Sequence, residues 1–210
     1  MYLAQFLTIA VIHLLAVASP GPDFVVVTKN SLSYSRRVGV YTALGVALGI
    51  AIHITYCLLG IALIISQSII IFSIIKYIGA AYLIWIGYKG LRTKAKSEVD
   101  IDVEKNEKKD LPISSAIKSG FLVNVLNPKA TLFLLAVFTQ VINPETPKFI
   151  QTLYGLEMIV ATFVWFALVS AIFSNKLMKR KITRLSHWID RVGGAVMLAL
   201  GIKVAISTQK

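Results

Sequence analysis

Apolar positions in this chain fall into long unbroken runs, and the polar positions are collected in short segments between them. A helix that crosses a bilayer needs about 20 mostly apolar residues. Six stretches meet that length: Tyr2–Val27, Val38–Ile65, Ile69–Leu91, Ile113–Ile142, Phe149–Asn175 and Trp188–Ser207. Ser66-Gln67-Ser68 is a very short break between the second and third, and Lys76 interrupts the third, which allows a start as late as Ile74. Lys76 reads as a side chain snorkelling to a membrane edge. The pattern predicts an all-α polytopic membrane helix bundle of six transmembrane helices.

The runs repeat. Gly79-Ala80 through Gly87-Tyr88-Lys89 in the third aligns with Gly193-Gly194-Ala195 through Gly201-Ile202-Lys203 in the sixth, at an offset of 114 residues. The first and fourth runs are each interrupted by proline, at Ser19-Pro20-Gly21-Pro22-Asp23 and at Asn127-Pro128-Lys129. Three spans repeated once must place the copies in opposite orientations, and inverted repeats with matched broken helices are the pattern of secondary transporters. The expected organisation is a first three-helix repeat (1–91), a charged linker (92–112) and a second three-helix repeat (113–210). Chance likeness of two glycine-rich helices is the competing explanation, since small residues suit any helix–helix seam.

Charge then supplies orientation. The 210 residues include 22 Lys+Arg against 10 Asp+Glu, a formal net charge of +12, with 56% hydrophobic and only 15% charged residues. That is too little charge to cover a soluble core. Seventeen of the 22 basic residues lie in or beside the loops after runs one, three and five. Basic loops mark the cytoplasmic side, so both termini are expected outside. A nucleic-acid binder needs its cations on one wet face, and that class is excluded. The linker alternates six basic with six acidic residues and has nothing to bury, so it reads as a solvated tether or a docking segment. The one cysteine, Cys57, rules out a disulfide or a cysteine metal site, and Met1–Ser19 lacks the basic start of a cleaved signal.

Candidate chemistry sits at the two breaks. Pro20 and Pro22 remove backbone donors and Gly21 frees the turn. The exposed carbonyls then require protein or water rather than lipid. Asp23 opens the resumed helix, where it serves either as a cap or as a site for an ammonium or a proton. Pro128 makes the matching break; Asn124, Asn127 and Thr131 fall at i, i+3 and i+7, so the three polar side chains are expected to share one helical face. Lys129 needs a counter-charge or a substrate carboxylate. Asp23 and Lys129 form either a permanent ion pair or a pair that a zwitterion splits. Gly45, Gly49, His53, Tyr56 and Gly60 line one side of the second run. His53 is there a structural histidine or a proton relay. His13 reads as a packing residue. Glu157, near mid-membrane, is either a proton-coupling group or a polar packing contact.

The order of these motifs resembles the LysE/RhtB family of bacterial amino-acid exporters. Ser19-Pro20-Gly21-Pro22-Asp23-Phe24, Ser35-Arg36-Arg37-Val38-Gly39, Lys76-Tyr77-Ile78-Gly79 and Gly120-Phe121…Asn124…Asn127-Pro128-Lys129 carry the resemblance over essentially the whole chain. The resemblance implies a plasma (inner) membrane protein that exports amino acids by proton antiport. The Pro-Gly-Pro-Asp form is more similar to the branch handling homoserine, threonine and other neutral amino acids. Expected partners are an amino acid, protons and lipid, with a homodimer left open; no cofactor, metal or enzymatic activity is implied. The competing classes are an exporter of another small solute or of a metal ion, a redox relay and a passive channel. Two isolated histidines and one cysteine are poor metal-ligand spacing, and a channel does not need paired charges at two broken helices.

Overall fold

A computed structural model of the chain describes residues 2–19, 21–67, 69–92, 111–143 and 145–173, with parts of 188–206. Among the described residues there are seven named helices and no strand. They are α1 (Tyr2–Ala18), α2 (Pro22–Ser33), α3 (Arg36–Gln67), α4 (Ile69–Leu91), α5 (Ile113–Val125), α6 (Pro128–Gln140) and α7 (Lys148–Phe173). Short helical pieces follow within 188–206. Pro20, the side chain of Lys76, nearly all of the charged linker and much of the sixth apolar run lie outside the described residues.

The proline signals act where expected. The first run bends by 57° between α1 and α2, and the fourth by 59° between α5 and α6. Both resumed helices begin on proline, at Pro22 and Pro128. The missing donor is harmless there, because first-turn N–H groups have no partner within a helix. Asn127 caps α6, its Oδ1 accepting from the Lys129 backbone N–H at 3.0 Å. By length and composition α3 and α7 are suited to crossing a membrane, and each bent pair qualifies when taken as one span.

One boundary needs correction. The first apolar run ends at Val27, but α2 continues to Ser33. Its polar residues there are held by other helices instead of entering a loop. Asn30 donates to the Thr42 hydroxyl at 2.9 Å and to Ser119 at 3.1 Å. Ser31 donates to the Val27 carbonyl and to Ser170. Once those bonds are made, burying the polar groups no longer carries the desolvation penalty that makes loops polar.

Helix α3 runs through the middle of the bundle, against α5 and α7 along much of its length, with α2, α4 and α6 also touching it. Glycine permits the closest approaches. A side chain at Gly45 would run into the Ile117 carbonyl on α5, and one at Gly120 into the Thr42 carbonyl on α3. Gly60, expected to belong to the same seam, faces open space. Gly87 and Gly194, from the two repeated motifs, face each other, with the backbone of one where a side chain of the other would lie.

Two apolar cores result. The larger takes Ile9 and Ile12 from α1, Ile54 and Cys57 from α3, Leu83 from α4, Leu134 and Val137 from α6 and Met158 from α7. The smaller takes Val27 from α2, Ala43 and Val46 from α3, and Phe166, Val169 and Phe173 from α7. Helices α3 and α7 pass through both. The two proline breaks fall at the level between the cores.

Candidate functional site

A cavity, part of it open to solvent, occupies that level. Both breaks line it. Ser19, Gly21 and Asp23 come from the first, and Asn124, Asn127 and Lys129 from the second. Apolar side chains, among them Phe24, Ile50, Phe133 and Phe166, complete the wall. A largely apolar chamber with a few convergent polar groups is the usual form of a small-molecule site.

The two breaks are joined through one carboxylate. Asp23 Oδ2 accepts from Asn124 Nδ2 at 3.0 Å and from Asn127 Nδ2 at 2.9 Å. Its other oxygen, Oδ1, is buried and has no hydrogen-bond partner among the described residues. Opposite, the Lys129 ammonium donates to the Ser19 carbonyl at 2.9 Å. That carbonyl stands next to the α1 terminus, where helix carbonyls lack intrahelical partners. The space beside Gly21 matters here: Lys129 Nζ and Cδ lie 3.6 Å from where a Cβ would stand. A larger side chain would cover the ammonium.

A layer behind the wall fixes Asn124, which is fully buried. His53 Nε2 lies 3.0 Å from the Asn124 carbonyl oxygen, and His53 Nδ1 lies 2.6 Å from the Tyr56 hydroxyl. Gly49 of α3 leaves the space into which the Asn124 side chain fits. The result is an anionic group with one uncommitted oxygen and an ammonium nearby, at the ends of four half-helices. This can hold a molecule bearing both charges.

The chain matches the LysE type translocator family over residues 14–208. It belongs to that family. The translocator is 32% identical over 205 residues to the threonine efflux protein of Escherichia coli K12, covering 98% of this chain and 99% of that one. It is 31% identical over 207 residues to the threonine efflux protein of Salmonella typhi, again covering 98% and 99%. An uncharacterised membrane protein of Haemophilus influenzae is 33% identical over 199 residues, covering 94% of each chain. No solved structure matches the translocator. The family assignment and the apolar helices make it a multi-pass membrane transporter.

The residues named from sequence divide into three groups. Asp23, Asn124, Asn127 and Lys129 meet at the cavity, with Gly21 beside them. His53 stands one layer back, bonded to Asn124. Thr131 and Glu157 are not on the cavity wall. Thr131 lies on α6, beyond the 59° bend from Asn124, and does not line the cavity with the two asparagines. Thr131 instead bonds back to the Asn127 carbonyl at 3.3 Å. Glu157 is partly buried on α7, and its Oε2 has no hydrogen-bond partner among the described residues.

Two wall residues escaped the sequence reading. His13 was expected to be a packing residue, yet it lines the cavity with Thr162 of α7. The partners are 149 positions apart, so no local spacing could have paired them. A histidine in an otherwise apolar helix was the only available signal.

Proposed function

We propose that this translocator exports small neutral amino acids of the threonine type from the cytoplasm, by alternating access and in exchange for protons. The observation that carries this reading is the meeting of Asp23 and Lys129 at one cavity, each on a different broken helix. A free amino acid carries an ammonium and a carboxylate close together. Its ammonium is read by the uncommitted oxygen of Asp23, and its carboxylate by Lys129 in place of the Ser19 carbonyl. Charged groups within a membrane ordinarily line such pathways, and the cavity's apolar wall strengthens both interactions by excluding water. The threonine efflux relatives support the substrate class, and the basic loops support cytoplasmic placement of the linker end.

Proton exchange follows if Asp23 carries either a proton or the substrate ammonium, but not both together. His53 then has a supporting role, holding Asn124 against Asp23. The test is efflux of labelled threonine from proteoliposomes under an imposed pH gradient. Asp23→Asn and Lys129→Met should each lower transport by about 100-fold, the effect of roughly 3 kcal/mol of lost charged interaction. Efflux indifferent to the gradient would remove the proton from the mechanism. Unchanged rates in both variants would remove the site.

A further inference from the structure

The far wall of the cavity carries a second polar pair that the zwitterion site does not use. His13 and Thr162 are each 1% exposed, and both line the cavity. Thr162 Oγ1 lies 3.3 Å from His13 Nε2. The other ring nitrogen, Nδ1, is buried without a hydrogen-bond partner among the described residues. Such orphans are uncommon in folded proteins and call for an explanation. A neutral imidazole has one donor and one acceptor nitrogen. With Nε2 committed to Thr162, Nδ1 has one hydrogen bond left to give or to take.

The spacing suits a bound amino acid. His13 lies six residues before Ser19, about 9 Å along a helix at 1.5 Å per residue. The Lys129 ammonium is held at the Ser19 carbonyl, so the carboxylate position is at that level. From there, two hydrogen bonds of about 2.8 Å each and a molecule of roughly three bonds, ~4 Å, span about the same distance. The surroundings of the pair are apolar: Phe133 packs against the His13 ring, with ring centres 6.2 Å apart, and Phe166 shares the wall.

We infer that His13 and Thr162 read the substrate's side chain by hydrogen-bonding a hydroxyl group. They would select short hydroxylated amino acids over apolar ones of the same shape. This rests on the zwitterion site proposed above and adds the part of the cavity that distinguishes one substrate from another. A hydroxyl both donates and accepts, so it satisfies Nδ1 in either tautomer. A methyl group in its place leaves the buried nitrogen orphaned, and sites built around a hydroxyl discriminate strongly against analogues that lack it.

The test uses the full-length protein in proteoliposomes, with labelled threonine counterflow and unlabelled threonine or valine as competitor. Valine replaces the threonine hydroxyl with a methyl at nearly constant shape. The native protein is expected to prefer threonine by at least about tenfold. Thr162→Val and His13→Leu should reduce that preference to about threefold or less; Thr162→Ser, which keeps the hydroxyl, should retain it. No preference in the native protein would overturn the inference. So would native preference in both Thr162→Val and His13→Leu, or an equal loss of both amino acids in properly inserted protein. Should His13→Leu fail to insert, the near-isosteric Thr162→Val decides the question. Asp23→Asn run in parallel separates the two claims: full transport by that variant refutes the zwitterion site, whatever the preference ratio shows.

Discussion

Replacing Gly49 by alanine should damage the site from behind, by displacing Asn124 from its place in the cavity wall. A Cβ at Gly49 would stand 2.8 Å from Asn124 Cβ and 2.9 Å from Asn124 Cγ. Carbon atoms in comfortable contact lie about 3.5–4.0 Å apart. Asn124 or the α3 backbone must therefore yield by roughly 0.7–1 Å. Asn124 is held on two sides, by Asp23 at 3.0 Å and by His53 at 3.0 Å. A shift of that size takes one or both bonds out of hydrogen-bond range. Overpacking costs about 1–3 kcal/mol of stability, and a lost hydrogen bond to a charged group about 1.5–3 kcal/mol. If the second loss is felt in substrate binding, Gly49→Ala should weaken threonine transport by roughly 10- to 100-fold. Proteoliposome efflux measures that loss, and thermal unfolding in detergent measures the stability change. Gly49→Ala combined with Asn124→Gly should regain part of the lost stability, because the contacts to Asn124 Cβ and Cγ disappear with the whole side chain. Undiminished transport in Gly49→Ala, or strictly additive stability effects in the double variant, would refute the reasoning.

Three other expectations follow from the same contacts. Asn30→Ala removes the link between α2, α3 and α5; Thr42 and Ser119 each keep a bond to a backbone carbonyl, so the loss should be about 1–2 kcal/mol, seen as a lower unfolding midpoint. Gly87→Val should cost at least about 2 kcal/mol, because the added Cβ meets Gly194 O at 2.7 Å and Leu198 Cα at 2.8 Å, backbone atoms that cannot step aside. A sharp fall in folded, inserted protein checks it. Glu157→Gln should leave both threonine exchange and pH-driven efflux within about threefold of the native rates, since Glu157 is off the cavity; loss of the pH-driven rate alone would place the coupling proton on Glu157.

The helices were legible because a bilayer-length apolar run leaves little choice of structure, and both breaks were legible because proline lacks the N–H that a helix interior needs. Asp23, Asn127 and Lys129 could be found from those breaks alone. What the sequence concealed was direction. The bend that brings Asn124 and Asn127 onto Asp23 leaves Thr131 off the cavity wall, whereas linear spacing puts all three on one face. The continuation of α2 through Thr28, Asn30 and Ser31 was hidden for a related reason. Polar residues look like a loop until partners such as Thr42, Ser119 and Ser170 are known, and those lie 12, 89 and 139 positions away. His13 and Thr162 were hidden by distance along the chain alone.

The arrangement of the two apolar cores bears on how such a molecule could move. The repeat in the sequence suggests one half rocking against the other as a block. Each core, though, draws on both halves: Ile54 and Leu83 pack in the same cluster as Leu134 and Met158, and Val27 and Val46 in the same cluster as Phe166 and Phe173. Sliding the first half past the second would shear both clusters at once. Helices α3 and α7 run unbroken through both clusters and tie the two ends of the bundle together. Among the described helices the bends fall in the α1–α2 and α5–α6 pairs, so the freedom to move lies in those four half-helices, turning at Pro22 and Pro128 against a frame that α3 and α7 hold.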